Sequence, residues 1–220
     1  MVMKKTRGNI ILSVPDSVFY NEQEVRLDYE DMLDWCFQRE MGSAHMSILM
    51  KHLSESCQKD GISGVYGFCD PNYLAPWTPT IEEERSDYLC RVFGCNGGKN
   101  INQLFFAPFH EDRHWMLAVI SPWNGTVFWF DPSGADYIRE FAERIINEGI
   151  VKFSMVHRKD VKKLKKNPVR WNKIQCPRQA LGSKDCGYYV CRYMIETIAS
   201  RRQLIPDKYF QGFLALIPKR

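Results

Sequence analysis

A chain of 220 residues with 45% apolar and 13% aromatic side chains carries enough material for one large buried core, which argues against disorder. A formal charge of +4 is too small to argue for nucleic acid, and no apolar run approaches the roughly 20 residues that cross a bilayer. Eight cysteines without a secretory leader argue against a disulfide framework, and the short spacings that build a metal site are missing. The expectation is a soluble intracellular protein with no cofactor or metal, a single domain over 1–220.

In chain order, "NIILSV" near the start is too short for a signal-peptide core. "DYEDMLDWCFQRE" (28–40) and "SAHMSILMKHLSESC" (43–57) read as helices; Met46, Leu49, Met50 and Leu53 recur at three-to-four spacing, with Ser43 as N-cap. Residues 57–80, punctuated by Gly, Pro and Asn, read as loop. "TIEEERSDYLCRVF" (80–93) predicts a helix, with Thr80 and Glu83 spaced as a capping box. A strand block follows: "QLFFAPF", then "HWMLAVI" and "TVFWFD" joined across the turn residues "SPWNG". "ADYIREFAERIINEG" (135–149) predicts an amphipathic helix closed by Gly149, "IVKFSMV" (150–156) a strand, and "CGYYVCRYMIETIASRRQ" (186–203) the last long helix. A largely helical half (about 1–100) before a strand block and a closing helix (about 101–220) is an α+β pattern.

The segment "QALGSKDCGYYVCRYM" places Cys186 where a glycine-rich loop becomes an apolar helix. In a helix's first turn the unpaired N–H groups and the positive dipole end favour a thiolate over a thiol. Asp185 suits an N-cap, and Gly187 leaves room beside the sulfur for another backbone. A nucleophilic cysteine needs a base, and the base an orienting group. His114 opens one strand of the expected hairpin and Asp131 closes the other. Registers that set Asp131 opposite His114 or opposite Met116 put both on one face; a slip by one residue separates them. The turn residues leave that register open. Of the other histidines, His45 and His52 sit on a helix, His157 in a basic stretch, and His110 by the charged "EDR" loop at a possible rim.

The order "HW", then "WFDP", then "QALGSKDCGYYVCRYM" resembles the ubiquitin-like-protein-specific cysteine proteases, which include the SUMO proteases, and is similar to their divergent plant and transposon-borne members. The resemblance implies a papain-like α+β fold with a central mixed sheet flanked by helices. It implies Cys186 as nucleophile, His114 as general base and then acid, and Asp131 as its orienter. It also implies Gln179 as an oxyanion donor beside the Cys186 N–H, and Trp115 as a wall of a tunnel that admits a Gly-Gly tail. The implied partner is SUMO or another ubiquitin-like modifier and its conjugates, met by a monomer in the nucleus or cytoplasm, with no obligate nucleic acid and no membrane. Two departures stand out. Gln179 precedes Cys186 by seven residues where the family has six, and "REMGSAHMS" stands where many members carry a tryptophan in a "WLND"-like stretch. A non-catalytic modifier-binding domain and an acyltransferase on the same fold are the alternatives. The basic stretch "HRKDVKKLKKNPVR" (157–170) reads as a solvated face, because no aromatic residue interleaves it.

Overall fold

In the computed structural model, residues 4–6, 8–95, 97, 99–158 and 169–206 are described. The described residues up to Leu27 differ from the helical start expected there. β1 (Lys4–Thr6), β2 (Asn9–Val14) and β3 (Gln23–Leu27) form a three-stranded antiparallel sheet, with the short helix α1 (Asp16–Phe19) between β2 and β3. Then come α2 (Tyr29–Cys36), α3 (Ser43–Lys59), β4 (Tyr66–Phe68), α4 (Pro71–Leu74) and α5 (Glu82–Phe93). The second half runs β5 (Leu104–Glu111), β6 (His114–Ser121), β7 (Thr126–Phe130), α6 (Glu140–His157), β8 (Arg170–Lys173) and a last helix, α7 (Cys186–Ala199).

The second sheet has the order β4-β5-β6-β7-β8 and is mixed: its two outer pairings are parallel and its two inner ones antiparallel. Both faces are covered, so β6 is apolar on both sides. Trp115, Leu117 and Val119 point into a core shared with α3 and α7, where they meet Met46, Met50, Val190 and Tyr193. Met116, Ala118 and Ile120 point into a second core, built with α5 and α6 around Leu89, Ile146 and Phe153. Pro108 is tolerated in the interior strand β5 because β4 pairs only as far as Phe106.

Three local expectations change. Residues 57–80 contain β4 and α4, too short for periodicity to register. The loop after α4 is tied by the buried Arg85, whose guanidinium donates to the carbonyls of Tyr73, Ala75, Thr78 and Thr80. Ser43 and Thr80 are not caps. α3 is capped by Gly42, whose N–H donates to His45 Nδ1 at 3.0 Å, and α5 starts after Ile81 without a side-chain cap.

The larger correction concerns 150–156, expected as a strand and folded as the continuation of α6 through Gly149. Gly149 does not end the helix because it is a packing glycine: a Cβ there would come within 2.8 Å of the Leu89 Cβ on α5. The two helices therefore approach closely, and Ile146, Ile150 and Phe153 continue one buried stripe at helical spacing. The basic stretch lies mostly outside the described residues; at its end, Arg170–Lys173 pairs with β7 as the edge strand β8.

Helix and strand assign Phe153 and Met155 differently. A strand would put both on one face, whereas in α6 Phe153 is fully buried and Met155 is 55% exposed. Phe153→Ala is expected to cost about 3–5 kcal/mol in urea unfolding, and Met155→Ala about 0.5 kcal/mol or less. Equal costs would contradict the helix.

Candidate active site

β6 and β7 pair in the register Leu117 with Phe130 through Ser121 with Thr126. Asp131 therefore falls opposite Met116, and the period-two alternation of a strand turns it to the same side as His114. The side chains meet, with His114 Nε2 2.7 Å from Asp131 Oδ1, the ring N–H donating. Both sit at the open end of the hairpin, where the sheet stops and side chains reach past the strand ends.

Asp131 is held in turn by the residues after it. In Asp131-Pro132-Ser133 the Ser133 N–H and hydroxyl both donate to Oδ1, at 2.8 and 2.7 Å, forming an Asx-turn around the carboxylate. Burial alone would push the carboxyl pKa up. The hydrogen bonds from His114 and Ser133 outweigh it and keep the acid below its ordinary value.

Cys186 is the first residue of α7, with Asp185 as N-cap, whose own side chain makes no capping hydrogen bond. Its side chain is only 3% exposed. It comes from the layer on the Trp115 side of the sheet and lies within hydrogen-bonding reach of the His114 imidazole. Because Nε2 is taken by Asp131, Nδ1 is the ring nitrogen left for the sulfur. Burial opposes a charge on the imidazole, but the contacts with Asp131 and Cys186 overcome that and raise its pKa to about 9. A charged imidazolium between a carboxylate and a sulfur is thereby favoured at neutral pH. Such a group can stabilise a thiolate and afterwards give up a proton.

The extra residue between Gln179 and Cys186 is absorbed by a turn. Ser183 N–H donates to the Ala180 carbonyl at 3.0 Å, with Gly182 at φ +76° and Leu181 fully exposed at its corner. Gln179 Nε2 donates to the Ser183 carbonyl of this same loop at 3.0 Å, while its backbone N–H ties the loop to Pro132 at 2.9 Å. One amide hydrogen is thus committed within the loop and the other is left to point elsewhere.

Trp115 and Gly187 meet through a residue that sequence reasoning missed. Met41, in the segment without the family's tryptophan, accepts the Trp115 indole N–H on its carbonyl at 2.7 Å. A Cβ on Gly187 would lie 2.7 Å from Met41 Cβ, so the room beside the sulfur, expected for an approaching backbone, is filled by this side chain. Met41 Sδ also touches Cys191 Sγ at 3.7 Å. Trp115 itself is fully buried, and His110 from β5 stacks on it with ring centroids 4.5 Å apart. His110 thus belongs to the rim of the site. Its ring carries Trp77, which is 55% exposed, edge-on at 5.0 Å. Ser133 had a readable signal in the Asp-x-Ser spacing; Met41 had none in its own residue type.

Because His114 titrates at about 9 when folded against 6.5 as a free side chain, it stabilises the fold fully below pH 6.5, and that stabilisation is lost as pH rises through about 9. NMR titration of the His114 ring should give a pKa near 9, and Asp131→Asn should lower it. In denaturation experiments the stability gap between wild type and His114→Gln should narrow between pH 6.5 and 9; an unchanged gap would contradict the ion-paired geometry.

Comparison with known proteins bears on the fold and the family. A search of the curated proteins finds no match. Among solved structures, the chain is similar to the crystal structure of a de-sumoylating protease (TM-score 0.60, 14% identity, covering 86% of this chain and 73% of that one). It is also similar to the C-terminal Ulp1 protease domain in complex with SMT3, the yeast ortholog of SUMO (TM-score 0.56, 17% identity, 89% and 79% covered). A third is the Chaetomium thermophilum Ulp1-like SUMO protease catalytic domain (TM-score 0.53, 16% identity, 78% and 66% covered). These likenesses show the shared α+β fold. The model of the Ulp1 protease family, C-terminal catalytic domain, matches residues 39–205, most of the chain and all the residues that build the site, so this chain belongs to the Ulp1 family of cysteine proteases.

Proposed function

We propose that the protein is a thiol isopeptidase that cleaves after the C-terminal Gly-Gly of a ubiquitin-like modifier, SUMO first among the candidates. The observation that carries this reading is the His114 ring bonded to Asp131 on one side and facing Cys186 on the other. Support for the modifier class comes from the family and from fold relatives described as SUMO proteases.

In this reading the Cys186 thiolate adds to the carbonyl carbon of the terminal glycine. The developing oxyanion takes hydrogen bonds from the Cys186 backbone N–H, one of the unpaired donors of the α7 first turn, and from the free amide hydrogen of Gln179. The C–N bond breaks as the His114 imidazolium protonates the leaving amine, which departs, leaving a thioester on Cys186. Water, deprotonated by the now neutral His114, adds to the thioester, and collapse releases the modifier's carboxylate and regenerates the thiolate–imidazolium pair. Asp131 stays ionised throughout and keeps the ring oriented. In the tunnel that the resemblance implies, a side chain at either terminal residue of the tail would clash, which fits a Gly-Gly tail.

A modifier carrying a C-terminal electrophile tests the reading: the wild type should form a covalent adduct and Cys186→Ala none. No adduct across a panel of modifiers, from a folded protein, would exclude it. Gln179→Ala should lower kcat by about 10²–10³ with bound substrate affinity little changed, as measured for oxyanion donors elsewhere. The rate should fall on the alkaline side as pH passes about 9, where the imidazolium loses the proton it must donate.

A further inference from the structure

Two consecutive residues of the segment between α2 and α3 touch the neighbours of both His114 and Cys186. Met41 does so from inside, through the Trp115 indole and the Cα of Gly187. Glu40 does so from outside. Its carboxylate takes a two-pronged hydrogen bond from Arg113, Nε at 3.2 Å and Nη2 at 2.7 Å, and lies 3.4 Å from Lys184 Nζ. Arg113 immediately precedes His114, and Lys184 stands two residues before Cys186. Residues 39–42 have no helix or strand of their own, so these contacts set where the segment lies.

From this juxtaposition we infer that Glu40 is a positioning residue: a carboxylate that clasps the strand bearing His114 to the loop bearing Cys186 and so sets the imidazole-to-sulfur separation. The two reacting groups come from different layers, a sheet end and a helix end, and no covalent link joins them. Arg113 needs a fixed anchor because it sits at positive φ (60°), next to Asp112 at 52°, in the tight β5–β6 turn. Asp112 is itself held by Arg139 at 3.0 Å, so the turn is fastened on both flanks. The hydrogen bond from Arg113, more than any other contact, keeps the Glu40 carboxyl ionised below its ordinary pKa. The Arg113 and Lys184 side chains are 73% and 65% exposed. An exposed pair of this kind adds little to stability and is screened by salt. Its effect lies in orientation, to which reaction rates are far more sensitive than folding is.

The inference rests on the cysteine-peptidase reading for its consequence in turnover, but the geometry can be read without any substrate. Site-resolved alkylation of Cys186 by iodoacetamide, followed by mass spectrometry across pH 5–10, reports the thiolate alone. Glu40→Gln, which keeps shape and removes charge, should lower both the neutral-pH alkylation rate and kcat about 3- to 10-fold, with KM within about 2-fold. Raising sodium chloride from about 0.05 to about 0.5 M should bring the wild-type rate down toward that of the variant and leave the variant where it is. Glu40→Asp should recover part of the loss. If Glu40→Gln does not fold, Arg113→Gln and Lys184→Gln take its place; each should show part of the effect and the pair together most of it. Wild-type alkylation and kcat in a folded Glu40→Gln, or in the folded Arg113/Lys184 pair, would overturn the clasp. A wild type that turns over no modifier, while its Cys186 alkylation still responds to these changes, would overturn the peptidase reading and leave the clasp standing.

Discussion

Strand pairing decides whether an imidazole and a carboxylate seventeen residues apart can meet. In the β6–β7 hairpin the register pairs Leu117 with Phe130, and that alone turns His114 and Asp131 to one side. A slip of one residue would keep every residue type and destroy the contact, because side chains alternate with period two. The two-sided burial of β6 makes such a slip costly. It would carry Trp115, Leu117 and Val119 into the layer of α5 and α6, where Met116, Ala118 and Ile120 now fit. The apolar cores on both faces thus hold the polar pair in place, although neither core contains it.

The electrostatics of the site follow from that placement. A half-buried imidazole would ordinarily be neutral; one that donates to a buried carboxylate and faces a sulfur stays charged instead. The carboxylate tolerates burial because Ser133 gives it two further donors. Around this polar line the packing is tight and sulfur-rich, with Met41 lodged between Trp115, Gly187 and Cys191. Methionine is unbranched and adapts to irregular space. It fills this corner between β6 and the first turn of α7.

The residues proposed to do the chemistry were more legible in the sequence than the scaffold of the first hundred. Cys186 before an apolar helical stripe, and His114 and Asp131 at the ends of two apolar runs, are each local patterns, and one parity argument joins them. The three-stranded sheet at the start was not legible, since β1 and β3 are short and carry charged residues. The reach of α6 was misread because Gly149 looks like a stop, and only its contact with Leu89 on another helix explains why it is not one. Met41 and Glu40 escaped for a related reason: their importance is to bring distant neighbours together, and nothing in their own segment announces it. Gln179 lay between the two cases, with its residue type legible and the turn that absorbs the added residue visible only in the folded loop.

The division of the reacting groups between two layers has a consequence for molecules that are only partly folded. The imidazole and carboxylate belong to the sheet, and the sulfur to a helix docked on it through Val190, Tyr193 and Met194. If that helix lifts away during synthesis, heating or local opening, the thiol is exposed only after it has lost its proton acceptor. On the peptidase reading, such a copy would carry a thiol parted from the imidazole and carboxylate that activate it.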